Sequence, residues 1–228
     1  MIKLIISDFD GTIAQLHGQY QSSWDSVGNL LKKQKREEWF AVRDFYLGKI
    51  HKAGSITDKL RLEAQWFAQD LYLMKGENVE NLLQRIEMNY TKGAREFFKE
   101  MKKQGKIIGI LSAGVDFIIE KAAKELEMDF SICTKIYHKN GILTGEGEDV
   151  VDLQNKLDWF KKLRKKYHIR PKEVVYLGDH FNCIPCLKEA GLGIAINAKT
   201  EEVKKAAKYA LKDFRGAAKL IGDYERGN

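Results

Sequence analysis

The chain has 228 residues, of which 44% are hydrophobic and 11% aromatic, enough for one large domain or two small ones with a proper core. Its net charge of +7, from 39 basic and 32 acidic residues, is modest for the size and does not mark a nucleic-acid binder. No run of about 18 apolar residues occurs, so neither a membrane span nor a membrane partner is expected.

The first element is an apolar run, Ile2 to Ile6, that reads as a strand buried on both faces. No charged, apolar and cleavable leader stands before it, which predicts a cytoplasmic address. The strand stops in Ser7-Asp8-Phe9-Asp10-Gly11-Thr12. Alternation along a strand turns Asp8 and Asp10 the same way and Phe9 into the core. Two carboxylates this close repel unless a charge offsets them, and a hard cation such as magnesium favours such oxygen ligands. A carboxylate beside a metal can also attack phosphorus and carry an aspartyl-phosphate. The alternative is a polar turn that merely ends a strand.

From Ser22 to about Asn89 no strand is expected. Trp24 to Lys35, Glu37 to Lys49, Asp58 to Met74 and Val79 to Asn89 carry apolar residues at helical spacing, with Ser55 and Thr57 as candidate N-caps. This segment reads as a helical insertion with its own small core, dense in aromatics such as Trp24, Trp39, Trp66 and Phe67. Alternation of helix and strand resumes at Thr91. The spacing predicts a helix from Gly93 to Gln104 and a buried strand from Lys106 to Leu111. Ser112-Ala113-Gly114 would end that strand, and a helix would follow from about Val115. A short strand over Phe130 to Lys135 and a hairpin over Tyr137 to Glu146, turning at Asn140-Gly141, come next. Leu153 to Tyr167 reads as a helix whose lysine run is a solvated face. Glu173 to Leu177 is a buried strand entering Gly178-Asp179. A helix through Pro185 to Ala190, a strand from Leu192 to Ile196 and a helix from Thr200 to Leu211 follow, with a frayed tail after Asp223. Three cysteines do not make a disulfide framework, and Cys183-x-x-Cys186 lacks the further ligands of a zinc site.

Buried strands alternating with helices argue for an α/β fold with a doubly wound, mostly parallel, Rossmann-like sheet. Ligands bind such sheets at the carboxyl ends of the strands. Asp8, Asp10, Ser112 and Asp179 all sit at expected carboxyl ends. Taken singly, Ser112 also reads as a helix N-cap, Lys156 as one more exposed lysine, and Gly178-Asp179 as a plain turn.

Taken together, Asp8-Phe9-Asp10-Gly11-Thr12, Ser112, Lys156 and Gly178-Asp179 resemble the four motifs of the haloacid dehalogenase superfamily of phosphohydrolases. The stretch from Thr91 to Gly147 is similar to the phosphoserine-phosphatase-like branch, where a helical cap lies between the first and second motifs. The resemblance implies a catalytic core of residues 1–16 and 90–228 and a cap of residues 17–89. It implies Asp8 as nucleophile and Asp10 as general acid and then base. Thr12, Ser112, the Ala113 amide and Lys156 would hold phosphate oxygens. Asp8, the Asp10 carbonyl and Asp179 would bind magnesium. The expected partner is a small phosphorylated metabolite, without nucleic acid or membrane, and the chain would be a monomer or homodimer.

Two departures bear on this. Many relatives carry Gly-Asp-x-x-x-Asp, but here Gly178-Asp179-His180-Phe181-Asn182-Cys183 ends in a thiol, a poor magnesium ligand. Weakened metal binding is expected, with Asn182 supplying part of the lost hydrogen bonding. Phosphoserine-specific relatives also place a Glu soon after the first motif; the equivalent count reaches His17, and no acid stands between Gly11 and Trp24. Phosphoserine is therefore not expected to be preferred. Lys59 and Arg61 on a cap helix are candidates to meet a second anionic group. The leading function is a magnesium-dependent phosphomonoesterase. The alternatives are a catalytically weak binding or regulatory protein on the same scaffold, and a phosphotransferase to an alcohol acceptor.

Overall fold

The structure, a computed structural model, describes residues 1–16 and 22–227. β1 (Leu4–Ser7) is buried at every residue and lies in the middle of a sheet. It pairs in parallel with β2 (Ile107–Val115) on one side and β5 (Val174–Gly178) on the other. β3 (Phe130–Lys139) adds in parallel to β2, while β6 (Leu192–Ile196) and β7 (Tyr209–Leu211) add beyond β5. Only β4 (Ile142–Glu148), in a hairpin with β3, runs antiparallel among the described strands. The order β4-β3-β2-β1-β5-β6-β7 is the doubly wound α/β architecture expected.

The two faces of β1 serve two apolar layers, as its alternation requires. Leu4 and Ile6 pack with Phe160 of α7 (Lys156–Lys166), Leu187 of α8 (Ile184–Glu189) and Val203 of α9 (Glu201–Ala206). Ile5 packs on the opposite side with Phe98 of α5 (Ala94–Lys103), Ile118 of α6 (Asp116–Glu125) and Ile221 of α10 (Ala217–Arg226).

Between β1 and α5 lie α1 (Ser23–Leu30), α2 (Lys33–Lys52), α3 (Ile56–Met74) and α4 (Val79–Arg85). Three begin on short polar side chains that accept a backbone N–H: Ser22 from Asp25, Ser55 from Asp58, and Asn78 from Asn81. Thr57, the other candidate cap, lies inside α3. The expected separate core is not found. Leu31, Trp39, Leu71 and Met74 belong to the same buried cluster as Phe98 and Ile110 beneath the sheet. The insertion is also sewn to the β3–β4 hairpin by backbone bonds of 2.9 Å: Gly76 N–H to Leu143 O, Leu143 N–H to Glu77 O, and Val79 N–H to Gly141 O.

Three other expectations change. β2 continues through Ser112-Ala113-Gly114 to Val115, with a register shift against β3, so the helix starts at Asp116 and Ser112 is not its N-cap. The segment expected as one helix from Thr200 to Leu211 stops at Ala206, and Tyr209–Leu211 pairs with β6 instead. The tail is α10 rather than frayed. Its Glu225 accepts from the Ile2 backbone N–H at 2.7 Å and from the buried Lys106 Nζ at 2.8 Å. That partner for Lys106 was invisible along the chain because it comes from 119 residues away.

Candidate active site

The carboxyl ends of β1, β2 and β5, three adjacent strands, bring Asp8, Ser112 and Asp179 to one edge of the sheet. Phe9 turns into the core while Asp8 and Asp10 face a shared cavity of about 860 Å³, as strand alternation predicted. Lys156, at the start of α7, is buried and donates to Asp8 Oδ2 at 2.7 Å. Cys183 Sγ–H donates to the same oxygen at 2.9 Å, and Asp8 Oδ1 accepts from the Phe9 backbone N–H at 2.8 Å. Burial works against the Asp8 charge, but the Lys156 ammonium and these donors outweigh it and hold the carboxyl below its ordinary value. The result is a buried carboxylate kept ionised.

Asp10 has the opposite environment. Burial raises its carboxyl to about 7, Asp8 adds repulsion, and hydrogen bonds from Ser23 only partly offset both. Ser23 opens α1; its backbone N–H donates to Asp10 Oδ1 at 2.7 Å and its hydroxyl to Oδ2 at 2.8 Å. The Ser23 hydroxyl in turn accepts from the Val115 backbone N–H at 3.0 Å. The two carboxyls of one tripeptide are thus pushed apart, one charged and one able to hold a proton near neutrality.

Asp179 is also buried and raised to about 7, by desolvation first and then by Asp8. Thr12 Oγ1–H donates to Asp179 Oδ1 at 2.9 Å, so the Thr12 hydroxyl serves the acid rather than facing the cavity. Gly11, at φ +74°, passes so close that a Cβ there would stand 2.2 Å from Asp179 Oδ2. The ligand atoms of Asp8, Asp179 and Cys183 lie within 4.8 Å of one another, all buried. Two carboxyls of conflicting charge around one point fit a divalent cation. The thiol is the misfit: burial and the neighbouring Asp8 push it well above its ordinary range, so it faces that point as a neutral S–H.

Ser112, Ala113 and Asn182 line the cavity with these groups. Arg61 is exposed and paired with Asp58 at 3.1 Å, and neither it nor Lys59 lines the cavity. His17 lies outside the described residues. A cation of the inserted helices that does line the cavity is Arg43 of α2, held by Asp25 at 3.2 Å and Asp44 at 2.8 Å. Ser23, Arg43 and Lys199 were missed in the sequence. The one local signal was at residue 23, a serine just before the helical spacing that begins at Trp24.

Comparison with known proteins fits this geometry. The family model for haloacid dehalogenase-like hydrolases matches residues 5–188. The chain belongs to this family. A phosphoserine phosphatase of Methanocaldococcus jannaschii is 30% identical over 207 residues, covering 90% of each chain. One of Archaeoglobus fulgidus is 33% identical over 205 residues, covering 86% of this chain and 53% of its own. A substrate-bound phosphoserine phosphatase complex superposes with a TM-score of 0.70 at 28% identity, over 96% of this chain and 98% of the other. A phospho-aspartyl intermediate analogue of phosphoserine phosphatase gives 0.69 at 28% identity, with the same coverage. This haloacid dehalogenase-like chain is therefore placed in the phosphoserine-phosphatase-like branch expected, as a phosphoric monoester hydrolase. Those relatives speak against a protein that only binds. Their names also run against the expectation that phosphoserine is not preferred.

Proposed function

We propose that the chain hydrolyses a small phosphate monoester through an aspartyl-phosphate on Asp8, with residues 17–89 as a cap over the reacting centre. The observation that carries this is the placement of Asp8, bonded to the buried Lys156 at 2.7 Å, and Asp10, bonded twice to Ser23 at 2.7 and 2.8 Å, on one cavity. Asp8, kept ionised by Lys156, attacks phosphorus. The bond to the leaving oxygen breaks, and protonated Asp10 gives that oxygen its proton. Asp10, now a carboxylate, takes a proton from water as the water attacks the acyl phosphate. Phosphate leaves, and Asp8 is regenerated. Ser112, the Ala113 amide and the Lys156 ammonium hold phosphoryl oxygens in this reading; Thr12 acts through Asp179. Magnesium would be held by Asp8, Asp179 and the Asp10 carbonyl, where it offsets the charge of the carboxylates and the phosphoryl group. The phospho-aspartyl analogue of a relative supports the covalent step. Release of phosphate from an aryl phosphate, dependent on added magnesium, tests the reading; absence of release across pH 5 to 9 would sink it.

Cys183→Asp tests the metal part separately. The added carboxylate sits where the thiol now touches Asp8 Oδ2. The expected result is magnesium binding about tenfold tighter by calorimetric titration, or roughly 1.4 kcal/mol. An unchanged dissociation constant contradicts the account of the thiol as a weak point in the metal shell.

A further inference from the structure

The cap side of the cavity carries polar groups that the chemistry above does not use. Glu63, Trp66, Phe67 and Asp70 stand at i, i+3, i+4 and i+7 of α3, one stripe of one helix, and all four line the cavity. Glu63 is 7% exposed and Asp70 5% exposed. Glu63 Oε1 accepts from Gln154 Nε2 at 3.1 Å, but its Oε2 is buried with no hydrogen-bond partner. Asp70 Oδ1 is likewise buried and unpartnered. Trp66 Nε1 lies near enough to favour the Asp70 charge, yet makes no well-formed hydrogen bond. Unpaired carboxyl oxygens in a protein interior cost stability, and oxygens that face a cavity are placed where a ligand can complete them.

The character of that ligand follows from the surroundings. Asp25, Asp44, Asp149 and Asp152 also line the cavity, while its one arginine, Arg43, already lies between Asp25 and Asp44. Burial and mutual repulsion push Glu63, Asp70 and Asp149 upward, Asp149 to about 6. Aromatic faces complete the wall. Trp24 meets Phe67 edge to face at 6.0 Å and stacks on Trp39 at 6.4 Å. Acids with unfilled acceptors beside aromatic faces match a cationic nitrogen, through charge, N–H donors and cation–π attraction.

We propose that the Glu63–Trp66–Phe67–Asp70 stripe binds the leaving group of the substrate, and that this group is an amino alcohol read by its ammonium, with no carboxylate required. The inference rests on the phosphatase reading and names its substrate class. It also supplies, from α3, the acid that was missing after the first motif. A carboxylate on the same alcohol would meet acids and an arginine already engaged.

The test compares O-phosphoethanolamine with n-propyl phosphate, its near-isostere with a methyl group in place of the ammonium. Binding is measured by calorimetry on Asp8→Asn, which reads affinity without turnover, and kcat/KM is measured on the unsubstituted protein. The expected preference for the amine is at least tenfold, collapsing toward one in Glu63→Gln/Asp70→Asn. Equal binding of the two esters to the unsubstituted stripe overturns the proposal, and so does a preference that survives the double substitution. O-phosphoserine binding more than tenfold tighter than O-phosphoethanolamine also overturns it, because the carboxylate would then be read. Aryl phosphate turnover reports on the phosphatase reading alone, so the two failures are distinguishable. The comparison of esters needs no substitution in the stripe and stands if the double variant does not fold.

Discussion

Asp8→Asn lowers phosphate release by about 10⁴-fold or more, the scale seen when a nucleophile is removed from a concerted site. The amide neither attacks phosphorus nor forms an acyl phosphate. It also takes away the charge that faces Lys156 at 2.7 Å, leaving a buried ammonium without its ion-pair partner. Losing such a partner costs several kcal/mol. Part of that is recovered, because the Asp8 charge adds to the burial that pushes Asp10 and Asp179 upward. Rates are therefore compared only after circular dichroism shows the variant folded. The trapped intermediate gives the complementary measurement: rapid quenching of the unsubstituted protein with radiolabelled substrate leaves acid-stable label on the protein, and Asp8→Asn leaves none. Turnover by Asp8→Asn within tenfold of the parent removes the covalent mechanism.

Gly114→Ala has the second largest expected effect, from a residue that touches no substrate in this mechanism. A Cβ at Gly114 would stand 2.5 Å from Ser23 Oγ and 2.8 Å from Asp10 Oδ2. Neither neighbour yields freely. Ser23 is fixed by α1 and by the Val115 N–H, and Asp10 by both bonds from Ser23. The methyl group displaces the general acid, and a misplacement of about 1 Å costs on the order of 10²-fold in rate. Overpacking adds about 1–3 kcal/mol of lost stability. The loss falls on kcat for alkyl esters more than for aryl esters, whose leaving groups need less proton donation. Equal loss for both classes, or none, shows that Asp10 is not the acid.

How much of this could be read along the chain depends on where each partner lies. Asp8, Asp10, Ser112, Lys156 and Asp179 were legible because a parallel sheet repeats one rule: polar residues at the carboxyl ends of buried strands converge. The strands themselves were legible from their apolar runs. Taken singly, Ser112 also read as the cap of the next helix; pairing of the far end of β2 with β3 keeps it in the strand instead. β7 and α10 were lost for a related reason. Tyr209–Leu211 is too short to show alternation, and α10 is anchored through Lys106 and Ile2, distant in sequence. The acid stripe of α3 was in plain view as helical spacing, but spacing was used to find apolar faces. Its meaning came only when α3 packed with Glu63 and Asp70 inward and their oxygens unfilled. Lys59 and Arg61 were candidates to meet a second anionic group or else solvated helix charges; α3 turns Arg61 to solvent, and Arg43 lines the cavity instead.

The seam between the insertion and the β3–β4 hairpin has a thermodynamic consequence. A lid on flexible tethers melts by itself, and its heat absorption separates from that of the body it covers. Here Leu31, Trp39, Leu71 and Met74 share one buried cluster with the sheet, and three backbone bonds cross from Gly76, Glu77 and Val79 to the hairpin. Neither part keeps its apolar interior without the other. Scanning calorimetry is expected to show one endotherm with equal calorimetric and van't Hoff enthalpies. Residues 22–89 expressed alone stay unfolded, and the hydrogen-exchange protection of α3 near Met74 rises and falls with that of β4 rather than with the α2–α3 turn. The insertion and the sheet are thus expected to unfold as one cooperative unit.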